Sequence, residues 1–322
     1  MIGARARITL AGLGTLALAG CSGLPLREAG AGAARVELAD TPFFPQQQYQ
    51  CGPAALASVL VAAGVETSAD ALAPEVYLPA RQGSLQAELL GAARRHDRLP
   101  YVIDPEPAAL IAQLDDGRPV LVLQNFGSAR SPAWHYAVVI GYERDDERFI
   151  LRTGTTRRQQ IAAARFLATW RRADSWGLVA LRPGELPAGA TAARYLEAAS
   201  GLEAAGRTAV AASSYAAATA RWPQQPLGWF GLANVRLAEG RFVDAEAAYR
   251  EALALDPAQP AARNNFALLL ARRGCVDAAQ AEIGRAHAAA AGTRFAAEVA
   301  DTEQDIAALR AVAGPPPADC PR

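Results

Sequence analysis

The sequence predicts an α+β domain followed by an all-α solenoid, and two patterns support this prediction. Between residues 36 and 182, strand-like apolar runs alternate with helical patterns. From residue 191 onwards only helical patterns occur, and they recur at a fixed spacing. The length of 322 residues fits about two domains. Basic and acidic residues number 32 each, and the resulting net charge of zero argues against a nucleic-acid partner held by a basic surface.

Residues 1–21 have the three parts of a bacterial signal peptide, and we expect them not to be part of the fold. Two arginines precede an apolar run that is too short to span a bilayer comfortably, and the run ends in "LALAGC". This ending resembles the lipobox of bacterial lipoproteins, and the resemblance implies that Cys21 carries lipid and anchors the chain to a membrane. It also implies outer-membrane sorting towards the periplasm, because Ser22 follows instead of aspartate. An ordinary secretory signal is the alternative interpretation.

The first domain follows a glycine- and alanine-rich tether, residues 22–35, and occupies residues 36–182. Two of its predicted helices cover residues 53–63 and 160–172. A further helix is predicted to start after a cap at Ser84. Its predicted strands cover 119–124, 135–142, 148–153 and 176–181. Prolines and glycines then predict a linker at 183–190.

Residues 191–293 contain three segments that superimpose at a spacing of 34 residues. Alanine, glycine, tyrosine and proline recur in register, and the glycines are Gly206, Gly240 and Gly274. The pattern resembles the tetratricopeptide repeat, in which small residues let paired helices approach and glycine ends the first helix of each pair. The resemblance implies a concave surface that holds a peptide or a partner protein. Residues 294–313 are predicted to form a capping helix, and 314–322 a tail.

The four cysteines differ in their predicted roles. Cys21 is assigned to lipid, and Cys275 and Cys320 could pair in an oxidising compartment if the chain folds back. Cys51 would then remain a free thiol where a glutamine-rich loop enters the first helix. The peptide N–H groups and the helix dipole at that point favour the thiolate, so we expect a lowered pKa. A small buried residue that merely opens the helix is the competing interpretation.

His135 is the histidine that best fits a general base for this thiol. It opens the apolar strand "HYAVVIGY", and the edge of a sheet is where a site would place a base. His96 lies in a charged run, and His287 lies on a repeat helix. If His135 is a base rather than a structural histidine, we expect a ring nitrogen within about 4 Å of the Cys51 sulfur.

The segments "CGPAALASVL" and "WHYAVVIGY" together resemble the bacteriocin-processing, double-glycine leader peptidases, a papain-like group of cysteine peptidases. The resemblance covers roughly residues 40–181. It implies a papain-like fold with Cys51 as nucleophile, His135 as base and a glutamine before the cysteine as oxyanion-hole donor. Gln46 fits this last role best, although Gln47 and Gln48 adjoin it.

The aspartate or asparagine that this family has after the histidine strand is missing. The nearest residues in register are Arg152 and Thr153, so Thr153 is a possible third member of the site, and Asn125 is another. Neither stabilises an imidazolium as a carboxylate does, and removing the acid from a serine-protease triad costs about 10⁴ in turnover. A cysteine enzyme can depend less on that acid, because a thiolate–imidazolium pair already exists before substrate arrives.

The sequence therefore supports a membrane-anchored cysteine peptidase that acts on a peptide or protein through a Cys–His dyad, with repeats that bind substrate or a partner. A weak or inactive peptidase-like domain that serves as a peptide-binding lipoprotein scaffold is the alternative. Acyl transfer to an acceptor other than water is a third hypothesis. The sequence contains neither a glycine-rich phosphate loop nor a metal-ligand spacing, so we expect no cofactor.

Overall fold

The computed structural model describes residues 26, 32–46, 50–312, 314–315, 317–318 and 320. The predicted signal peptide with Cys21, and also Gln47 and Gln48, lie outside the described residues. The strands are β1 (Arg35–Glu37), β2 (Leu99–Val102), β3 (Val120–Asn125), β4 (Trp134–Glu143), β5 (Arg148–Thr153), β6 (Thr156–Ala162) and β7 (Gly177–Leu181). The helices are α1 (Cys51–Ala62), α2 (Ala69–Val76), α3 (Gln86–Arg95), α4 (Pro107–Asp115), α5 (Ala163–Arg171), α6 (Ala192–Ala204), α7 (Thr208–Arg221), α8 (Pro226–Ala238), α9 (Phe242–Leu255), α10 (Pro260–Arg272), α11 (Val276–Ala290) and α12 (Ala296–Val312).

One antiparallel sheet of seven strands organises the first domain, in the order β2-β7-β3-β4-β5-β6 with β1 paired to β4. Successive side chains of a strand point to opposite faces. On one face, Leu121, Tyr136 and Val138 belong to the core that α1, α2 and α3 complete. On the other face, Val122 and Ala137 belong to a core that includes α4, α5 and the first helices of the solenoid. The predicted α+β class is confirmed.

The predicted strands coincide with β3, β4, β5 and β7, but the predicted helix at 160–172 is partly wrong. Residues 156–162 form the edge strand β6, and α5 begins at Ala163. Among the described strands, β6 pairs with β5 alone, and it is almost wholly exposed, so its sequence "TRRQQIA" lacks the apolar alternation that marks a strand. The predicted cap at Ser84 is also wrong. The cap position is Leu85, and the Ser84 hydroxyl is buried without a hydrogen-bond partner among the described residues.

Three helix pairs, α6–α7, α8–α9 and α10–α11, form the predicted solenoid, and α12 covers its end. The recurring glycines follow the first helix of each pair with φ between 69° and 80°, a left-handed conformation that favours glycine. A disulfide joins Cys275 to Cys320 and fixes the end of the chain to the turn before α11. Within the described ranges, no helix is both long and apolar enough to cross a membrane.

The solenoid continues the core of the first domain. Tyr195 and Val210 of the first repeat belong to the same buried cluster as the strands. The predicted linker between the two parts is held in place, since the Tyr195 hydroxyl donates to the Glu185 carbonyl at 3.0 Å and the Gln113 amide donates to the Ala188 carbonyl at 2.7 Å. The first domain and the first repeat therefore share one apolar core.

The segment predicted as a tether contains an anchored residue. Leu26 is only 1% exposed and belongs to this same apolar core. Its N–H donates to the Glu147 carboxylate at 2.9 Å, and its carbonyl accepts from the Arg144 guanidinium at 2.8 Å. These contacts hold Leu26, which is close in sequence to Cys21, against the turn between β4 and β5.

Candidate active site

Cys51 is the first residue of α1, at the loop-to-helix boundary that the sequence predicts. Pro53 lies in the first turn, where its missing N–H leaves no helical hydrogen bond unmade. Gly52 is buried, and a Cβ at this position would lie 2.3 Å from Ser84 Oγ. Only glycine fits this contact without a shift, and the contact fixes where the thiol stands.

The Cys51 thiol is half-buried, and burial raises its pKa above the usual value. Three backbone N–H groups, those of Tyr136, Gly52 and Cys51 itself, lower the pKa by a smaller amount. Cys51 is therefore protonated at neutral pH. The expectation of a lowered pKa is wrong for the unliganded protein, because the loss of hydration outweighs the N–H groups at the helix start.

His135 is the second residue of β4, and its partner on β3 is Gln124. Its Nε2 shares a hydrogen bond with Oγ1 of Thr153 at 2.6 Å, and its ring centroid lies 5.5 Å from that of Phe126. Burial lowers the pKa of His135, so the ring is neutral at neutral pH. Since Nε2 is engaged by Thr153, Nδ1 is the nitrogen available for a thiol.

Gln46 reaches the same strand as His135. Its backbone N–H donates to the Gly154 carbonyl at 3.0 Å, and its side-chain Nε2 donates to the Tyr136 carbonyl at 3.3 Å. The Tyr136 N–H in turn donates to the Cys51 thiol. Cys51 and Gln46 therefore meet at one residue of β4, and His135 directly precedes that residue.

The thiol and the imidazole form no hydrogen bond with each other within the described part of the chain. Catalytic hydrogen bonds of free enzymes often form only when substrate is bound. The contact of a His135 ring nitrogen within about 4 Å of the Cys51 sulfur therefore stays a prediction.

Of the two candidates for a third member, Thr153 contacts the imidazole, and the side chain of Asn125 is engaged elsewhere. Asn125 Oδ1 accepts hydrogen bonds from the backbone N–H groups of Gly127 and Ala133, at 2.9 and 3.0 Å. It therefore holds the loop between β3 and β4. The imidazole receives a hydroxyl partner where the resembled family has an acid.

Arg152 supports the site in a way that sequence reasoning missed, since the sequence indicated only that it lies near the position of the missing acid. Its guanidinium is buried and donates to the carbonyls of Thr41 and Ala39, at 3.2 and 2.8 Å. These bonds fix the segment that leads to Gln46. The available signal was an arginine within the otherwise apolar run "FILRT".

Comparison with known proteins agrees with the two-part organisation. Residues 38–176 match the Peptidase C39 like family, and residues 196–260 match the tetratricopeptide repeat. The chain thus has a region similar to the Peptidase C39 like family, here called the C39-like domain, followed by tetratricopeptide repeats. A comparison with curated proteins gives no match.

Solved structures resemble each of the two parts. A candidate C39-like peptidase from Bacillus anthracis is 17% identical over 46% of this chain and 98% of its own, with a TM-score of 0.38. The type III secretion translocator chaperone SycD of Yersinia enterocolitica is 19% identical over 37% of this chain and 94% of its own, with a TM-score of 0.35. The TPR2B domain of yeast Sti1 is 17% identical over 37% of this chain and 98% of its own, with a TM-score of 0.35.

The C39-like domain has a cavity of about 630 Å³ beside the thiol, which we call the Cys51 cavity. Its lining includes Cys51 and the side chains of Leu85, Leu123, Trp134 and Tyr136. None of these four was predicted as a site residue, although an exposed tryptophan directly before the histidine was an available signal. The described residues contain no group of His, Cys, Asp and Glu side chains suited to a metal ion.

Proposed function

We propose that the protein is a membrane-anchored cysteine peptidase in which Cys51 is the nucleophile and His135 the general base. The observation that carries the proposal is the convergence at Tyr136, since the thiol and the Gln46 amide both contact its backbone and His135 precedes it. A nucleophile, an amide donor and an imidazole are the groups that hydrolysis of a peptide bond requires. The match to the Peptidase C39 like family supports the same reaction class.

The proposed reaction starts from two neutral groups. As the Cys51 sulfur attacks the scissile carbonyl carbon, Nδ1 of His135 takes the thiol proton and a C–S bond forms. The Gln46 amide leaves the Tyr136 carbonyl and, with the Cys51 N–H, stabilises the oxyanion. The imidazolium then gives the proton to the amine that leaves as the C–N bond breaks. Water, activated by the neutral imidazole, hydrolyses the thioester and restores the thiol.

A peptide-binding scaffold without turnover is the second candidate function. It is favoured by the Thr153 hydroxyl in the place of a carboxylate and by the raised pKa of Cys51. Both candidates place a peptide at the Cys51 cavity. They differ in whether Cys51 forms an acyl adduct with that peptide.

Incubation of residues 22–322 with a peptide library, followed by mass spectrometry of the products, separates the two candidates. We expect products that disappear with Cys51→Ala and form at least about 100-fold more slowly with His135→Ala. His287→Ala is the matched control, because this histidine pairs with Glu303 in the repeats and should not affect cleavage. Peptides that bind without being cut would support the scaffold.

We also propose that Cys21 carries the lipid anchor and that the protein faces the periplasm from the outer membrane, with the repeats binding substrate or a partner protein. The Cys275–Cys320 disulfide supports this location, because disulfides persist in oxidising compartments. Cys21→Ser should move the protein from the membrane fraction to the soluble fraction, whereas Cys51→Ser should leave it with the membrane.

A further inference from the structure

The lining of the Cys51 cavity combines the thiol with several large apolar side chains. We propose that it is the specificity pocket of this site and that it receives an aromatic or large aliphatic residue of the substrate, next to the scissile bond. The proposal rests on the peptidase function argued above, and it names the class of substrate.

The size and lining of the cavity carry the argument. A volume of about 630 Å³ lies within the roughly 300–1,000 Å³ of ligand pockets and exceeds what a glycine would fill. Leu123 and Tyr136 are buried and form its floor, while Leu85 and Trp134 are 44% and 55% exposed and form its walls. Exposed large apolar side chains that meet at one place mark a binding surface. An apolar substrate side chain would remove them from water.

Charge at the cavity favours a neutral side chain. Arg81 and Asp174 are the charged residues among its lining, and both are exposed. Their charges are opposite, so the lining carries no net charge that would select an acidic or a basic side chain. Desolvating a charged substrate side chain against the apolar floor would be unfavourable.

The cavity wall is attached to the helix that presents the thiol. Ser84 packs against Gly52, the residue after the nucleophile, and its carbonyl accepts the Tyr136 hydroxyl at 3.3 Å. A backbone bridge between Leu78 and Gly83 closes the loop that carries this wall. A side chain bound there would therefore hold its peptide bond at a fixed position relative to Cys51. A substrate with only glycines beside the bond would leave the cavity empty.

Alkyl methanethiosulfonates test the pocket without requiring turnover. They transfer a chosen group to a thiol: the cysteine sulfur forms a disulfide bond, methanesulfinate leaves, and the thiol proton goes to solvent. In residues 22–322 with the Cys275–Cys320 disulfide intact, Cys51 is the remaining thiol. Benzyl, methyl and the charged sulfonatoethyl reagents are compared, each rate divided by that with free cysteine.

We expect the normalised benzyl rate to exceed the methyl and sulfonatoethyl rates by at least about tenfold, as apolar pockets discriminate. Trp134→Ala should reduce this preference several-fold, and Leu227→Ala, which removes an exposed apolar side chain from α8, should not change it. Equal normalised rates, or a benzyl preference that is unchanged in Trp134→Ala, would contradict the proposed specificity pocket. If the protein shows this preference but cleaves no peptide, the result would support the pocket and contradict the peptidase function.

Discussion

At the residue scale, two neutral groups stand where an ion pair would give a more reactive thiol. Burial raises the pKa of Cys51 and lowers that of His135, so the packing that excludes water also keeps both groups uncharged. Thr153 gives the imidazole a hydrogen bond but no negative charge. The thiol is therefore expected to ionise during attack on bound substrate, with no standing thiolate in the free protein.

Substitution of Thr153 tests how burial and the missing carboxylate set the pKa of His135. In the unmodified protein, His135 should titrate below its ordinary pKa of 6.5, because burial disfavours the imidazolium. Thr153→Asp should raise that pKa by about 1–3 units by placing a carboxylate at Nε2, whereas the isosteric Thr153→Val should not raise it. NMR titration is practical because the chain has three histidines. A His135 pKa above 6.5 without substitution would contradict the account.

Gly52 offers a test of how packing positions the thiol. Gly52→Ala places a Cβ against Ser84, and we expect a loss of about 1–3 kcal/mol in the free energy of unfolding with slower alkylation of Cys51. Ser84→Gly in the same chain should restore both, because it removes the atoms that collide. Denaturant unfolding and iodoacetamide rates provide the measurements. A double variant no better than Gly52→Ala would show that the contact is unimportant.

At the element scale, periodicity determined what could be predicted. The buried strands β3, β4 and β5 and the repeat helices carry regular apolar or small-residue spacing, so the sequence located them and the two motifs at Cys51 and His135. The loop at 79–85 has no such period, since its place depends on the contacts of Ser84 with the distant residues Gly52 and Tyr136.

The last repeat is closed by the disulfide, and this makes an element-scale prediction. The bond joins residues 45 apart, so reduction should lower the free energy of unfolding of the C-terminal helices by about 2–4 kcal/mol. Cys320→Ser should cause a similar loss in oxidising buffer and should make the protein insensitive to reductant. Thermal unfolding with and without dithiothreitol tests this; an unchanged midpoint after reduction would contradict it.

At the scale of the whole molecule, the apolar core crosses from the C39-like domain into the repeats. Tyr195 and Val210 lie in the same cluster as Leu26 and the strands, so the first repeat covers a sheet face that would otherwise be exposed. The repeats therefore stabilise the domain that carries the candidate site, in addition to any binding role. Leu26 extends this core towards the predicted lipid anchor and leaves only a short stretch of chain after Cys21.

Two truncations test the shared core. A chain of residues 22–190 should unfold about 10 °C or more below a chain of residues 22–221, because it loses the buried side chains of α6 and α7, each worth about 1.5–3 kcal/mol. Thermal unfolding monitored by circular dichroism gives the comparison. Equal stability of the two chains would mean that the first repeat contributes nothing to the C39-like domain.

Acylation by an activated ester tests the central claim, that Cys51 is a nucleophile served by His135, most directly. Residues 22–322 are mixed with a p-nitrophenyl ester of an N-acylated phenylalanine, and release of p-nitrophenol is followed at neutral pH. The account predicts a burst of about one equivalent, an acyl group on Cys51 by mass spectrometry, and a burst rate at least about 100-fold lower in His135→Ala. No burst, or one that His135→Ala leaves unchanged, would contradict it.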